Sequence, residues 1–210
     1  MNLRELIKLI RCHIEKGGMS SENVLAATQY LAKLGYKYDY ETFPKLMNTN
    51  TFVNVKNDTP VNLAEALLWK LGKWKSYKKF CSQFETGIPE PTRTDVVFYA
   101  FARHLKDQNN PIYDQHTLRA LWAVDSKLNT DEITKIKNSL LDGTKKWKQT
   151  MSGRHTIDCY NIYCAHINEI TKNGASLKEI DLLLMPLGQA IKDSTTNYIE
   201  FLELTGINNG

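Results

Sequence analysis

Helix-start and helix-stop signals recur along most of the 210-residue chain. Ser176 is followed by Glu179, and Asn129 by Glu132, which is the spacing of a reciprocal capping box at a helix N-terminus. Apolar residues then recur at intervals of three and four, as on one face of a helix. Glycines follow the expected helix ends, at Gly35, Gly143 and Gly206. We therefore predict an all-α protein.

Strand-like patterns are few, and the clearest is the short, isolated stretch NTFVNVKND at 50–58. The predicted architecture is a compact multi-helix fold with two helical lobes. Residues 1–210 are treated as a single globular unit, in which one lobe spans about 60–125 and the N- and C-terminal helices form the second. In the first lobe we expect Thr59 to cap a helix that starts at Pro60.

The composition is that of an ordinary globular protein, with 42% apolar and 24% charged residues. No run of 18 uncharged apolar residues is present, so we expect no membrane span. The first residues, MNLRELIKLIRCHIEKGG, lack the apolar core and cleavage site of a signal peptide. We expect a cytoplasmic protein that does not bind membranes.

The four cysteines predict thiols rather than a metal site. Cys12, Cys81, Cys159 and Cys164 form no C-x-x-C pair, and no fourfold ligand spacing appears. We expect reduced, mostly buried cysteines, no metal and no cofactor.

One basic and aromatic stretch, WKLGKWKSYKKF, spans 69–80. Its cations are Lys70, Lys73, Lys75, Lys78 and Lys79. They could neutralise phosphates while the aromatic rings between them stack on bases. The same spacing also fits a helix whose aromatic face is core and whose lysine face is solvated.

A second basic stretch, DGTKKWKQTMSGRH, spans 142–155, where Lys145, Lys146 and Arg154 surround Trp147. The pattern is typical of a loop. It predicts either a DNA-contacting loop or a lid packed onto a neighbouring helix.

Residues 87–124 combine a turn, an apolar helix, a polar loop and the segment YDQHTLR at 113–119. This order resembles the core of the helix-hairpin-helix DNA glycosylase superfamily, in which a hairpin and an apolar helix precede a segment of the type VDTHVxRV. Asp114 takes the place of the family's catalytic aspartate, with His116 and Arg119 in register. The chain is closer to a divergent branch, such as small bacterial proteins with an oxoguanine-glycosylase fold, than to well-known members.

The resemblance implies excision of a damaged or modified base from nucleic acid, with double-stranded DNA as the expected partner. Asp114 would stabilise the positive charge that develops on the sugar. The lysines of 70–79 and 145–146, with Arg93, His116, Arg119 and Arg154, would contact DNA. The base pocket would be lined by aromatic residues, for which the candidates are Tyr113, Trp74, Trp147 and Trp122.

The hairpin position, GIPEPTRTD, departs from the family because it lacks both glycines and the lysine nucleophile. Arg93 cannot replace that lysine, since a guanidinium stays protonated. The resemblance therefore implies a monofunctional glycosylase, without a lyase step.

Two other interpretations stay open. Aspartate is among the best N-cap residues, so Asp114 fits a purely structural cap as well as a catalytic carboxylate. The chain would then be a non-catalytic nucleic-acid-binding module on the same scaffold, in defence or regulation, or a protein-interaction domain with solvated basic faces. The sequence does not assign an oligomeric state.

Overall fold

The computed structural model describes residues 1–40, 60, 63–84, 96–148 and 156–207. These residues form an all-α fold of ten helices, with a 3-10 turn at Thr171–Asn173. The helices are α1 (Leu3–Glu15), α2 (Ser21–Lys33), α3 (Leu63–Lys70), α4 (Trp74–Phe84), α5 (Val96–Lys106), α6 (Gln115–Val124), α7 (Thr130–Leu140), α8 (Ile157–Ile170), α9 (Leu177–Ser194) and α10 (Tyr198–Thr205). The predicted fold class is confirmed.

The predicted capping boxes are present. In α7 the Glu132 N–H donates to Asn129 at 3.0 Å and the Asn129 N–H donates back to Glu132 at 2.9 Å. In α9 the same exchange joins Ser176 and Glu179. These side chains satisfy backbone donors that a helix N-terminus otherwise leaves unpaired.

The first predicted helix of the 60–125 lobe begins later than expected. Pro60 is not helical, and α3 starts at Leu63. Proline fits the first turn of a helix but does not by itself nucleate a helix. Thr59 and the strand-like stretch 50–58 lie outside the described residues.

The centre of the fold is α6, packed across α9. All eight residues from Thr117 to Val124 are buried, so only the first turn of α6 reaches solvent. Its crossing point with α9 is Gly188, where a Cβ would fall 1.9 Å from the carbonyl oxygen of His116. Only a glycine lets the two backbones approach this closely. The helices α1, α2, α7, α8 and α10 pack around this pair and complete the core.

A smaller group of helices, α3, α4 and α5, packs beside this core. Phe80 of α4 contacts Phe98 and Phe101 of α5, with ring centroids 6.5 and 5.3 Å apart. Through Tyr99 on the same helix, α5 meets Tyr160 of α8 at 6.0 Å.

The four cysteines are free thiols, with Cys81 and Cys159 buried and Cys12 and Cys164 half-buried. No group of three or more His, Cys, Asp or Glu side chains in the described ranges is placed to hold a metal ion. Among the described helices, none combines the length and apolar character needed to cross a membrane.

Candidate functional site

Asp114 is the N-cap of α6, and its carboxylate is only partly buried. Its Oδ1 accepts two backbone hydrogen bonds, from His116 N–H at 2.6 Å and Thr117 N–H at 2.9 Å. Thr117 completes a capping box, because its hydroxyl accepts from the Asp114 N–H at 2.9 Å. The second carboxylate oxygen, Oδ2, accepts no hydrogen bond from the described residues. One oxygen is thus fixed by the helix while the other keeps its lone pairs available.

A buried acid of α9 accepts hydrogen bonds from the backbone of the segment that precedes Asp114. Asp181 is 0% exposed and accepts from the Ile112 N–H at 3.3 and 3.2 Å through its two carboxylate oxygens. A buried carboxylate that loses such partners is costly, so this contact fixes the chain two residues before Asp114. Sequence reasoning missed Asp181, although an acid within the apolar run IDLLLMP was a visible signal.

The surroundings of Asp114 are basic. Burial lowers the pKa of His116, and the Asp114 charge only partly opposes this effect, while Arg119 and Lys192 lower it further. His116 is therefore neutral at pH 7, and its Nδ1 can accept the 3.4 Å contact from Arg119 Nη1. The attraction between Asp114 and the Arg119 guanidinium partly opposes the lowering of the arginine pKa by burial.

Behind Asp114 lies a buried aromatic cluster. Tyr113 packs against Tyr160 and Tyr163 of α8, with ring centroids 5.3 and 5.5 Å apart. The hydroxyls of Tyr160 and Tyr163 lie near Cys164 and Thr117 but make no hydrogen bond of good geometry. Burial raises the pKa of Tyr113 and of Tyr163, so both phenols stay neutral. Tyr113, expected to line a base pocket, is 2% exposed and belongs to this core.

Arg119 does not lie on the surface expected for a DNA contact. Its side chain is 0% exposed, so in this structure it cannot touch a phosphate. The guanidinium lies over the Trp147 ring at 4.4 Å and donates to the Gly188 carbonyl at 3.3 Å. Burial lowers its pKa to about 10, which leaves it charged at neutral pH. The position of Arg119 does not support that expectation, because every residue of α6 from Thr117 to Val124 is buried.

Trp147 is also part of the core, at 4% exposure, so it does not offer an open ring to a base. Its Nε1–H donates to the Thr195 carbonyl at 2.9 Å and to the Thr195 hydroxyl at 3.0 Å. Trp147 packs against Phe201 of α10 and Thr195 at the end of α9, as the second of the two alternatives predicts for this ring, and residues 149–155 lie outside the described residues. Lys145 and Lys146 beside it are exposed and remain predicted DNA contacts.

The lysine-rich stretch forms the end of α3 and most of α4. Lys70, Lys73, Lys75 and Lys79 are exposed, and Lys78 is half-buried. Trp74 is 8% exposed and stacks on Tyr77 with ring centroids 5.7 Å apart, so it does not line an open base pocket. Trp122, the other candidate, is 1% exposed beneath Phe201. Four of the five lysines are therefore solvated. Of the aromatic residues in the stretch, Trp74 is buried, Tyr77 and Phe80 are half-buried and Trp69 is exposed.

Two expected DNA contacts, Arg93 and Arg154, lie outside the described residues, as does the hairpin position GIPEPTRTD. Of the remaining site residues, the structure brings together Tyr113, Asp114, His116, Arg119 and Trp147 around the start of α6. The lysines of 70–79 lie on α3, on α4 and in the turn between them. The main packing contacts of these two helices are with each other and with α5.

A second polar cluster, also missed from the sequence, lies at the other end of α6. His166 of α8 contacts Asp125 at 2.6 Å through Nδ1 and Glu132 at 3.3 Å through Nε2. The hydrogen bond to Asp125 raises the pKa of His166 despite its burial. These three side chains join the end of α6 to α7 and α8, and we interpret them as a structural clamp.

Comparison with known proteins found no matching family model, no matching curated protein and no matching solved structure.

Proposed function

We propose that the protein is a monofunctional N-glycosidase that removes a base from nucleic acid, with Asp114 as the essential carboxylate. The proposal depends on one observation. Asp114 is partly exposed, its Oδ1 is fixed by two backbone N–H groups, and its Oδ2 is unbonded among the described residues. A purely electrostatic catalyst needs such a pre-oriented anion, because reorientation during the reaction would cost free energy.

The chemistry that this carboxylate can support is hydrolysis through an oxocarbenium-like transition state. As the bond between C1′ and the base nitrogen breaks, positive charge develops on the sugar, and Oδ2 would stabilise it. A water molecule then adds to C1′, loses one proton and leaves a hydroxyl on the sugar, while the departing base takes up a proton. The N-terminus of α6 carries a partial positive charge beside Asp114, and the Arg119 guanidinium attracts the same carboxylate.

The direct test is an excision assay on labelled duplexes and single strands that carry uracil, 8-oxoguanine or alkylated adenine, followed by hot alkali to cut abasic sites. We expect cleavage at one lesion, and loss of that cleavage in Asp114→Asn. Asparagine keeps the N-cap but removes the charge. Asp131→Asn is the matched control, since Asp131 is an exposed carboxylate in the first turn of α7. Cleavage that survives in Asp114→Asn would reject the proposal.

A second candidate, a non-catalytic nucleic-acid-binding module, is favoured by the capping box itself. The two hydrogen bonds to Oδ1 and the Thr117 hydroxyl account for Asp114 without any chemistry. In that case no lesion is cut, and wild type and Asp114→Asn bind nucleic acid alike, with affinity that falls as salt rises.

A further inference from the structure

Trp69 differs from every other tryptophan of the chain. All four tryptophans lie within the described residues, and Trp69 is 59% exposed, whereas Trp74, Trp122 and Trp147 are 8%, 1% and 4% exposed. An indole ring buries a large apolar area when it finds a partner, so its exposure at the end of a helix marks a surface that can bind one.

The charged residues that are exposed near Trp69 in the sequence are all lysines. Lys70, Lys73 and Lys75 are exposed and make no ion pair with other described residues. The nearest preceding acid, Glu65, is 5% exposed, and no acid occurs between it and residue 84. The partner that fits this surface is therefore anionic.

The turn between α3 and α4 holds these side chains at one corner. The Lys73 N–H donates to the Leu68 carbonyl at 2.8 Å and the Gly72 N–H donates to the Trp69 carbonyl at 3.0 Å. Gly72 has φ +68°, so the two bonds form a Schellman motif with its glycine in the left-handed region. These bonds fix the backbone from Leu68 to Lys73, and α4 begins at the next residue, Trp74.

Apolar surface extends from the corner along α3. Leu63, Leu67 and Leu71 are 88%, 59% and 60% exposed and follow one another at intervals of four. Trp69 lies on a different side of the helix, so the apolar residues surround α3 instead of forming one flat face. A membrane-surface helix needs a single apolar face opposite a polar one, and α3 lacks that division.

We propose that this corner, Trp69 with Lys70, Lys73 and Lys75, binds single-stranded nucleic acid. Trp69 stacks on an unpaired base, and the three lysines contact the flanking phosphates. Base pairing and stacking hide the faces of bases in a duplex, so an exposed indole favours an unpaired strand. This inference rests on the proposed function only in taking nucleic acid as the class of partner.

The test is a binding titration of the full chain with a labelled 20-nucleotide oligothymidine and with a hairpin duplex. Tryptophan emission and iodide quenching report on Trp69, because the other three rings are buried. We expect tighter binding of the single strand, with quenched emission and protection from iodide. Trp69→Ala should weaken that binding about tenfold, and Trp69→Phe should retain most of it. The matched control is Leu25→Ala, a change at a 58% exposed residue of α2.

Replacing Lys70, Lys73 and Lys75 by Gln should reduce the dependence of log affinity on log salt by about 2. Equal binding by Trp69→Ala and wild type, or no binding to the single strand, overturns the proposal. So does Trp69-dependent binding to phosphatidylserine vesicles without any binding to oligonucleotide. The excision assay measures cleavage that depends on Asp114, whereas the titration measures binding that depends on Trp69, so failures of the two are distinguishable outcomes.

Discussion

Gly188 of α9 leaves no room for a side chain against His116 of α6, since a Cβ would lie 1.9 Å from the His116 carbonyl oxygen and 2.8 Å from its Cα. These neighbours are backbone atoms, which cannot swing aside as a side-chain end can. The close crossing of α6 and α9 therefore requires that position 188 carry the hydrogen atom of a glycine in place of a Cβ.

Gly188→Ala should lower the free energy of unfolding by about 3 kcal/mol, because α6 and α9 must move apart to admit the methyl group. Urea unfolding followed by far-UV circular dichroism measures the loss. Gly143→Ala is the control, since nothing lies within 4 Å of a Cβ at that position. It should change stability by less than about 1 kcal/mol. Equal stability of the two variants would contradict the close crossing.

The N-cap role of Asp114 predicts a graded effect on stability. Asp114→Ala removes the acceptor for the His116 and Thr117 N–H groups and should cost about 1 kcal/mol. Asp114→Asn should cost clearly less, because asparagine caps nearly as well. Thermal unfolding compares the two, with Asn129→Ala in α7 as a reference for losing a cap of the same kind. If the alanine variant were as stable as wild type, the cap would contribute nothing.

The sequence predicted helix starts well where contacts between residues close in the chain determine them. The boxes at Asn129 and Ser176 depend on residues three apart, so the pattern alone identifies them. The helix α9 continues through Pro186, which has no N–H to donate, as far as Ser194. Packing of α9 along α6 overrides that local cost, and no local pattern reports it.

For the candidate site, the sequence identified the position of Asp114 but not the burial around it. The resemblance implied that Arg119 contacts DNA, which requires an exposed side chain. Its burial follows from the position of α6 at the centre of the fold, which is a tertiary property. The contact of Asp181 with Ile112 joins residues 69 apart in the chain, so the sequence showed an acid in an apolar run but not its partner.

Arg119 should be replaceable by an apolar side chain of similar size. Its Nε and Nη2 have no hydrogen-bond partner among the described residues, so burial of the charge is poorly compensated. We expect Arg119→Met to change the free energy of unfolding by less than about 1 kcal/mol, and Arg119→Ala to lower it by about 3 kcal/mol through the cavity left beside Trp147. Chemical denaturation measures both. A large loss in the methionine variant would show that the guanidinium itself stabilises the fold.

The clamp formed by His166, Asp125 and Glu132 predicts that stability falls as pH rises. The hydrogen bond to Asp125 raises the pKa of His166 in the folded protein, so the folded state holds a proton that the unfolded chain releases. The stabilisation is complete below the unfolded pKa, at about 6.5, and is lost as pH rises through the folded value.

Unfolding free energies measured from pH 6 to pH 9 should therefore decline in wild type. In His166→Gln we expect a flatter profile and a loss of about 2 kcal/mol at pH 6, since the buried Asp125 loses a charged partner. His13→Gln serves as the control, because His13 lies on α1 and contacts Asn23 instead of a carboxylate. A wild-type stability that rises between pH 6 and pH 9, with the same slope in His166→Gln, would show that this histidine is not held protonated by its two acids.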